Sequence, residues 1–307
     1  MELRLGNEVA DALADGAAVL ALESNVVAQG LPYPRNLDTA LQVEETARNA
    51  GAVPATTAVL DGVLRVGLTQ EELERIASSP TLPKLSTRDI GACLARGGTG
   101  VTTIAATMAI AELAGIAVVS SAGLGGVHRG ASESFDISAD LPQLVRSKVI
   151  VVSAGAKKIL DLQATLEYLE TAGVPIVGYR SDDFPAFYCV SSGLPVPHRT
   201  DDMSEIVRTA LNHWSMRDSG AILVTHPIPD TDALSSVEVD VAIDEALLRV
   251  ASERISGQRV TRYLLDAVND ATEGRASAAN AAVLISTTAI GAEAAVAHAE
   301  ATRESRS

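Results

Sequence analysis

The sequence predicts an α/β fold with a mostly parallel central sheet and helices on both of its faces. Three observations carry that expectation. Short β-branched runs of parallel-strand length, ended by Gly, recur along the chain. Stretches with three- and four-residue apolar spacing alternate with them, an order that implies right-handed crossovers and a layer of helices on each side. The composition is 47% apolar but only 3% aromatic, so Ala, Val, Leu and Ile must do the packing of helix on sheet.

In chain order, AAVLAL (17–22) reads as a short buried strand followed by the loop ESNVVAQGLPYPRN. LDTALQVEETARNA (37–50) has helical spacing, and VPATTAVLDG (53–62) returns to strand and turn. GLTQEELERIAS (67–78) opens with Thr69 and carries Glu72 three residues later, the pattern of a capping box. TTIAATMAIAELAG (102–115) places Ile104, Met108, Ile110 and Leu113 near one helical face. GIAVVSS (115–121) and KVIVVSAG (148–155) are the clearest strands. AKKILDLQATLEYLETAG (156–173) predicts a helix with Ile159, Leu162, Leu166 and Leu169 inward and Gly173 as its stop. VPIVGY (174–179) and AILV within MRDSGAILVTHPIPD (216–230) add two more strands. A helix at about 240–256 and an Ala-rich pair of segments from about 260 to 301 complete the chain. Without a linker or repeat period, residues 1–307 are expected to form a single domain.

Charge and composition exclude several classes. Lys and Arg total 24 against 39 Asp and Glu, a formal charge of −15. With no basic run and few rings, a nucleic-acid partner is not expected. A small phosphorylated ligand is still compatible, since one pocket can be basic on an acidic protein. Cys93 and Cys189 match no metal or redox spacing and read as ordinary thiols in a reducing compartment. The N-terminus is charged and helical rather than a secretion signal. No run of about 18 uninterrupted apolar residues suggests a membrane span. A soluble, cytoplasmic protein is expected.

In open α/β folds, ligands collect beyond the carboxyl ends of the strands, which singles out Glu23, SAGLGGVHRG, AGAKK and HPIPD. Glu23 reads either as a helix cap or surface charge, or as a partly desolvated proton carrier. The stretch 121–140 holds Gly123, Gly125, Gly126 and Gly130 with His128 and Arg129 among them, a candidate phosphate or sugar nest. It matches neither the dinucleotide fingerprint nor a P-loop. Asp136 and Asp140 share one face if FDISADL begins a helix, a pair suited to Mg²⁺ or Mn²⁺. Lys84 is a loop cation able to balance a phosphate. Lys157 and Lys158 fall where a helix should begin, a position that disfavours a cation by roughly 0.3–1 kcal/mol. Either a lysine there points into solvent, or an amine is kept unprotonated or faces a phosphate.

The strings ALES (21–24), GLPYPRN (30–36), GAVPATTAVLDG (51–62), GVHRGA (126–131), FDISADL (135–141), AGAK (154–157) and ILDL (159–162) occur together, and TLEYLETAGVPIVGY (165–179) continues them. In these the chain resembles the pseudouridine-5'-phosphate glycosidase family over nearly its whole length. The resemblance implies a three-layer α/β/α sandwich with a central, mostly parallel mixed sheet, assembled as a homotrimer. It implies chemistry at the C–C bond between C1' of ribose 5-phosphate and a base, with a divalent metal, Mn²⁺ or else Mg²⁺, and no organic cofactor. By motif, Lys157 takes the place of the nucleophile and Glu23 that of the proton-handling acid. Lys84, Ile104, Ser138, Ala139 and Asp140 fall on substrate positions and Asp136 on the metal position. His128, Arg129, Ser121 and Thr287 are further candidates for substrate contact. A helix start would help hold Lys157 neutral, as imine formation requires, while Lys158 would face solvent.

Departures from the family pattern concentrate at Asn25, Gln29, Ala122, His226, Thr287 and Thr288. Thr287 stands where an asparagine associated with the base is usual, and a hydroxyl cannot offer a uracil edge the paired donor and acceptor of a carboxamide. The ribose-phosphate apparatus is thus kept while the base side changes. The expected activity is that of a C-glycosynthase, resembling the family's alnumycin-type variants, which joins ribose 5-phosphate to an aromatic, polyketide-like carbon. Cleavage of pseudouridine 5'-phosphate is the alternative, and a non-catalytic sugar-phosphate-binding protein a third.

Overall fold

The structure is a computed structural model and describes residues 1–29, 31–79, 81–253, 255 and 258–304. Gly30 and the side chain of Gln29, both within the departures and strings above, lie outside the described residues.

The strands of the first half are Leu3–Leu5 (β1), Val19–Leu22 (β2), Val53–Leu60 (β3), Val63–Val66 (β4), Lys84–Leu85 (β5) and Gly100–Thr102 (β6). Val118–Ser120 (β7), Val127–His128 (β8), Ile150–Ser153 (β9) and Leu160–Asp161 (β10) follow. Ile176–Tyr179 (β11), His198–Thr200 (β12) and Ile222–Thr225 (β13) complete them. The helices are Asn7–Ala14 (α1), Asn25–Gln29 (α2), Arg35–Asn49 (α3), Gln70–Ala77 (α4), Thr87–Ala95 (α5) and Ile104–Ala114 (α6). Next come Ala131–Ser134 (α7), Asp140–Arg146 (α8), Leu162–Thr171 (α9) and Met203–Ser215 (α10). Ser236–Ser252 (α11), Gln258–Ala271 (α12) and Arg275–Glu304 (α13) end the chain.

Among the described residues one sheet runs in the order β1-β4-β3-β2-β7-β9-β13-β11-β12, with β6 against β3 and β5 against β6. All pairings in it are parallel except β3 with β4 and β3 with β6, so the sheet is mixed and mostly parallel as expected. Every residue of β2, β7, β9 and β13 is buried. Strands covered on both faces need no polar alternation, hence VLAL, VVS, IVVS and ILVT. Helix α13, with α3 and α10 beside it, covers β2, β7 and β9, while α6, backed by α8, packs on β2 and β7 from the other side. Helix α13 is long and apolar enough, by length and composition alone, to cross a membrane. Here that character faces the sheet. Thr69 and Glu72 do form the capping box that opens α4.

Three expectations are corrected. Helix α9 starts at Leu162, not near Lys157, because Asp161 is its cap and accepts from the Ala164 N–H at 2.9 Å. A turn and β10 separate the lysines from it, so no helix dipole acts at their position. Helix α8 starts at Asp140, which leaves Asp136 in the segment bridged to β8 through Ile137. The two aspartates therefore do not share a helical face. Leu113 is 57% exposed, and α6 instead buries Ile104, Met108 and Ile110 completely.

Candidate active site

The site lies beyond the carboxyl ends of β2, β7 and β9, where consecutive parallel strands deliver Glu23, Ser121 and the AGAK turn side by side. The exit of β2 is fixed from behind by buried hydroxyls. Ser24 Oγ donates to the Thr57 carbonyl at 2.6 Å, Thr102 Oγ1 donates to the same carbonyl at 2.9 Å, and the Thr102 N–H donates to Ser24 Oγ at 3.0 Å. Such groups hold position because each one left unpaired in the interior would be costly.

Lys157 is placed by a turn that only glycine allows. Gly155 has φ +70°, and a Cβ there would collide with the Pro185 carbonyl. The Lys157 N–H then donates to the Leu124 carbonyl at 3.1 Å, which ties the lysine to the glycine-rich loop. Glu23 and Lys157 each keep a partly open face, yet the protein packed around their charged ends dominates their protonation. Burial pushes the Glu23 carboxyl above the usual carboxylate range, against the opposing pull of Lys157 and of the Ser121 hydroxyl that donates to Oε1. Burial likewise lowers the Lys157 ammonium, with Lys84 adding to the effect and Glu23 and Asp140 opposing it. Both shifts favour a free amine beside a protonated acid. Lys157 is thus depressed by desolvation, not by a helix terminus.

Asp140 is a brace. Its Oδ1 accepts from the Ala105 N–H in the first turn of α6, and its Oδ2 from the Gly125 N–H, both at 2.9 Å. A carboxylate at a helix N-terminus is favourable in itself. Gly125 must lack a side chain, since a Cβ would stand 2.7 Å from Asp140 Oδ2 and collide with Ser138 Oγ. Ser138 Oγ accepts from the Asp140 N–H at 3.2 Å, and Ala139 caps α8. Ile104, the first residue of α6, is buried close by. Lys84, on β5, is exposed, and its charge acts on Glu23, Lys157 and His128. These residues form one constellation around the Glu23–Lys157 pair.

Other candidates are turned elsewhere. Arg129 reaches Asp244 at 3.1 Å and Asp240 at 3.8 Å on α11. Lys158 does not face solvent: its side chain is 11% exposed and its Nζ lies 3.0 Å from Asp240 Oδ2. Both cations anchor α11 to the loop beside Lys157. Thr287 donates its hydroxyl to the Val283 carbonyl at 2.8 Å, while Thr288 and Leu284, neighbours on α13, line a cavity. That cavity, between α2, α3 and α13, is walled mainly by apolar side chains such as Val27 and Val43 and reaches Glu23. His226 turns Nδ1 to the Tyr179 carbonyl at 3.1 Å, and Ala122 is buried.

Asp136 is one-third exposed, with His128 Nδ1 3.9 Å from its Oδ2. Burial lowers the His128 pKa despite that carboxylate. Among the described residues no group of three or more His, Cys, Asp and Glu gathers to cage a metal. One open carboxylate fits a hard cation that keeps most of its waters. It does not fit a closed four-ligand zinc site.

The sequence reading did not pick out Thr57, Thr102, Asp240 or Asp244. The last two stand four apart on a helix, a spacing that puts both carboxylates on one face, and were the one local signal available.

A model described as indigoidine synthase A like protein matches residues 8–297. A pseudouridine-5'-phosphate glycosidase of Dickeya dadantii is 51% identical over 302 residues, 98% of this chain and 96% of that one. One from Nocardioides is 47% identical, over 94% of each chain. Among solved structures, the prealnumycin C-glycosynthase AlnA in complex with ribulose 5-phosphate superposes with a TM-score of 0.93, at 43% identity and 99% coverage of both chains. An indigoidine synthase A-like protein of Thermotoga maritima gives 0.87, at 30% identity and 96% coverage of both.

Proposed function

We propose, because the chain belongs to the pseudouridine-5'-phosphate glycosidase family of indigoidine synthase A like proteins, that it is an enzyme joining C1' of ribose 5-phosphate to an aromatic carbon. The observation that carries this reading is a desolvated lysine–glutamate pair whose glutamate also borders an apolar cavity. The Lys157 amine adds to the C1' aldehyde of open-chain ribose 5-phosphate and loses water, leaving an iminium that makes C1' electrophilic. An aromatic carbon ortho to a phenol-type oxygen adds there. Glu23, which gives up its own proton as the cationic iminium forms beside it, then removes the proton from that carbon and restores aromaticity. A sugar hydroxyl closes the ring on C1' and releases the amine. Lys84 balances the phosphate, and the Asp140 brace keeps the glycine loop against the helix start of α6.

Asp136, with His128 beside it, would hold a hydrated Mn²⁺ or Mg²⁺, which when bound supplies charge compensation to sugar hydroxyls or phosphate. Chelation should lower turnover, with either ion restoring it and the melting temperature nearly unchanged. A cytoplasmic homotrimer belongs to the same reading, and light scattering of the purified protein tests the assembly.

The 51% identity to a pseudouridine-5'-phosphate glycosidase favours a second reading, in which Glu23 protonates a uracil carbon and the bond breaks. One experiment separates the two. Ribose 5-phosphate is offered with uracil or with 2-hydroxy-1,4-naphthoquinone, and product is followed by mass. Preferential coupling of the quinone supports the synthase; brisk release of uracil from pseudouridine 5'-phosphate overturns it.

A further inference from the structure

We infer that Asp240 on α11 is a positioning residue for the Lys157 nucleophile, closing a clamp of Lys158 and Arg129 that holds the backbone behind the reactive amine. The inference rests on the proposed function for the role of Lys157, whereas the clamp itself is geometry.

Lys157 opens a turn. Its carbonyl accepts from the Leu160 N–H at 2.9 Å, with Lys158 and Ile159 as the two central residues. Ile159 is completely buried, and Leu160 on β10 pairs with His128 on β8, so packing and a strand pair fix the far side of the turn. The peptide that joins Lys157 to Lys158 depends on Lys158, which is held at both ends. Its Nζ lies 3.0 Å from Asp240 Oδ2, and its carbonyl accepts from Arg129 Nη2 at 3.4 Å. Arg129 Nη2 in turn lies 3.8 Å from Asp240 Oδ1. One carboxylate thus faces both cations, one through each oxygen.

Asp240 is a firm anchor. Val239 and Ile243 beside it on α11 are completely buried, and the entry to the helix is fixed where the Leu234 N–H donates to the Tyr188 carbonyl at 2.8 Å. Thr261 Oγ1 on α12 lies 3.4 Å from Nε2 of His128, the residue before Arg129. Groups braced from packed helices are held more precisely than groups braced from loops. Among the described residues Asp240 is the one carboxylate in ion-pair range of Lys158 Nζ, so no other acid takes its place. The tie between α11 and the loop therefore acts in both directions. In the proposed reaction Lys84 holds the phosphate end of the sugar, so C1' arrives at a set point, and an amine displaced by about 1 Å would lose about 100-fold in rate.

The test compares full-length wild type with Asp240→Asn, Asp240→Glu and Lys158→Met. Amide exchange, read by mass on peptides covering 154–161, should speed up about 10-fold in Asp240→Asn. The first-order rate constant for trapping ribose 5-phosphate on Lys157 with borohydride, at saturating sugar, should fall about 10- to 100-fold. The half-saturating sugar concentration should move less than about 3-fold, because Lys84 is untouched. A first-order rate constant does not depend on how much of the protein is folded, so loss of folded enzyme alone cannot imitate this result. Lys158→Met, which removes the other half of the ion pair, should reproduce both effects, and Asp240→Glu, which keeps the carboxylate, should recover most of the rate. The inference is overturned if exchange over 154–161 matches wild type while α11 alone loosens, if the trapping rate holds while exchange rises, or if Asp240→Glu loses as much rate as Asp240→Asn. Absence of a ribose adduct in wild type would count against the proposed function, and exchange over 154–161 would still decide the clamp.

Discussion

Replacing Asp140 by Asn separates structural from electrostatic effects in a single variant. Both carboxylate oxygens accept backbone N–H groups at 2.9 Å, and the residue is only 7% exposed, so water cannot stand in for a lost partner. A carboxamide has one accepting oxygen and turns N–H donors toward the other amide. One charge-assisted bond, worth roughly 1.5–3 kcal/mol, disappears, and one buried N–H is left facing a donor. A loss of about 2–5 kcal/mol follows, and at about 2–4 °C per kcal/mol the melting midpoint should fall by about 4–20 °C. The charge matters separately. Asp140 raises both Glu23 and Lys157, so its neutralisation lowers both, and a lower lysine pKa frees the amine at lower pH. Trapping of ribose 5-phosphate on Lys157, quantified by intact mass across a pH series, should therefore reach half-maximum at lower pH than in wild type. An unchanged melting midpoint together with an unmoved pH midpoint would refute the brace and its field alike.

Further outcomes are expected. In wild type the same trapping should reach half-maximum below the ordinary lysine range, since burial depresses Lys157 and deprotonation frees the amine as pH rises. Labelling of Lys84 or Lys158 instead, read from peptide masses, would contradict the assignment. Glu23→Gln should keep the lysine adduct and lose the C–C step, scored as adduct without product; near wild-type turnover would pass the proton role to another acid. Gly155→Ala should cost several kcal/mol, because φ +70° and the Pro185 carbonyl both forbid a side chain, and thermal melts will show it.

What the sequence disclosed depends on how far each cause reaches along the chain. The central strands were legible because burial on both faces leaves continuous apolar runs, and Thr69 with Glu72 was legible because a capping box is local. Lys157 was singled out by its address at a strand exit and by AGAK, and only the helix start offered to explain a neutral amine there was mistaken. The helix it was thought to open waits for Asp161, a cap visible in ILDLQATL once weighed against the earlier lysines. The Asp136–Asp140 pairing failed for the same cause, a helix start misplaced by four residues. Arg129 and Lys158 meet Asp240 and Asp244 only through tertiary folding, and nothing local marks partners 82 or more residues away. The Ser120 hydroxyl, without a hydrogen-bond partner among the described residues, needed the third dimension too, since VVSS reads equally well as two filler residues at a strand end.

The two adjacent lysines differ in a way that matters for inhibitor chemistry. Lys157 is held toward its neutral form, whereas Lys158 is locked against Asp240. An electrophile that condenses with amines, such as a salicylaldehyde, discriminates by the fraction of unprotonated nitrogen, and so should favour Lys157, whose amine burial frees. Because Lys84 offers a positive charge on the exposed side of the site, an aldehyde bearing an anionic arm would be drawn to the same address. Its selectivity would come from the protein's own control of a proton, and would vanish on denaturation.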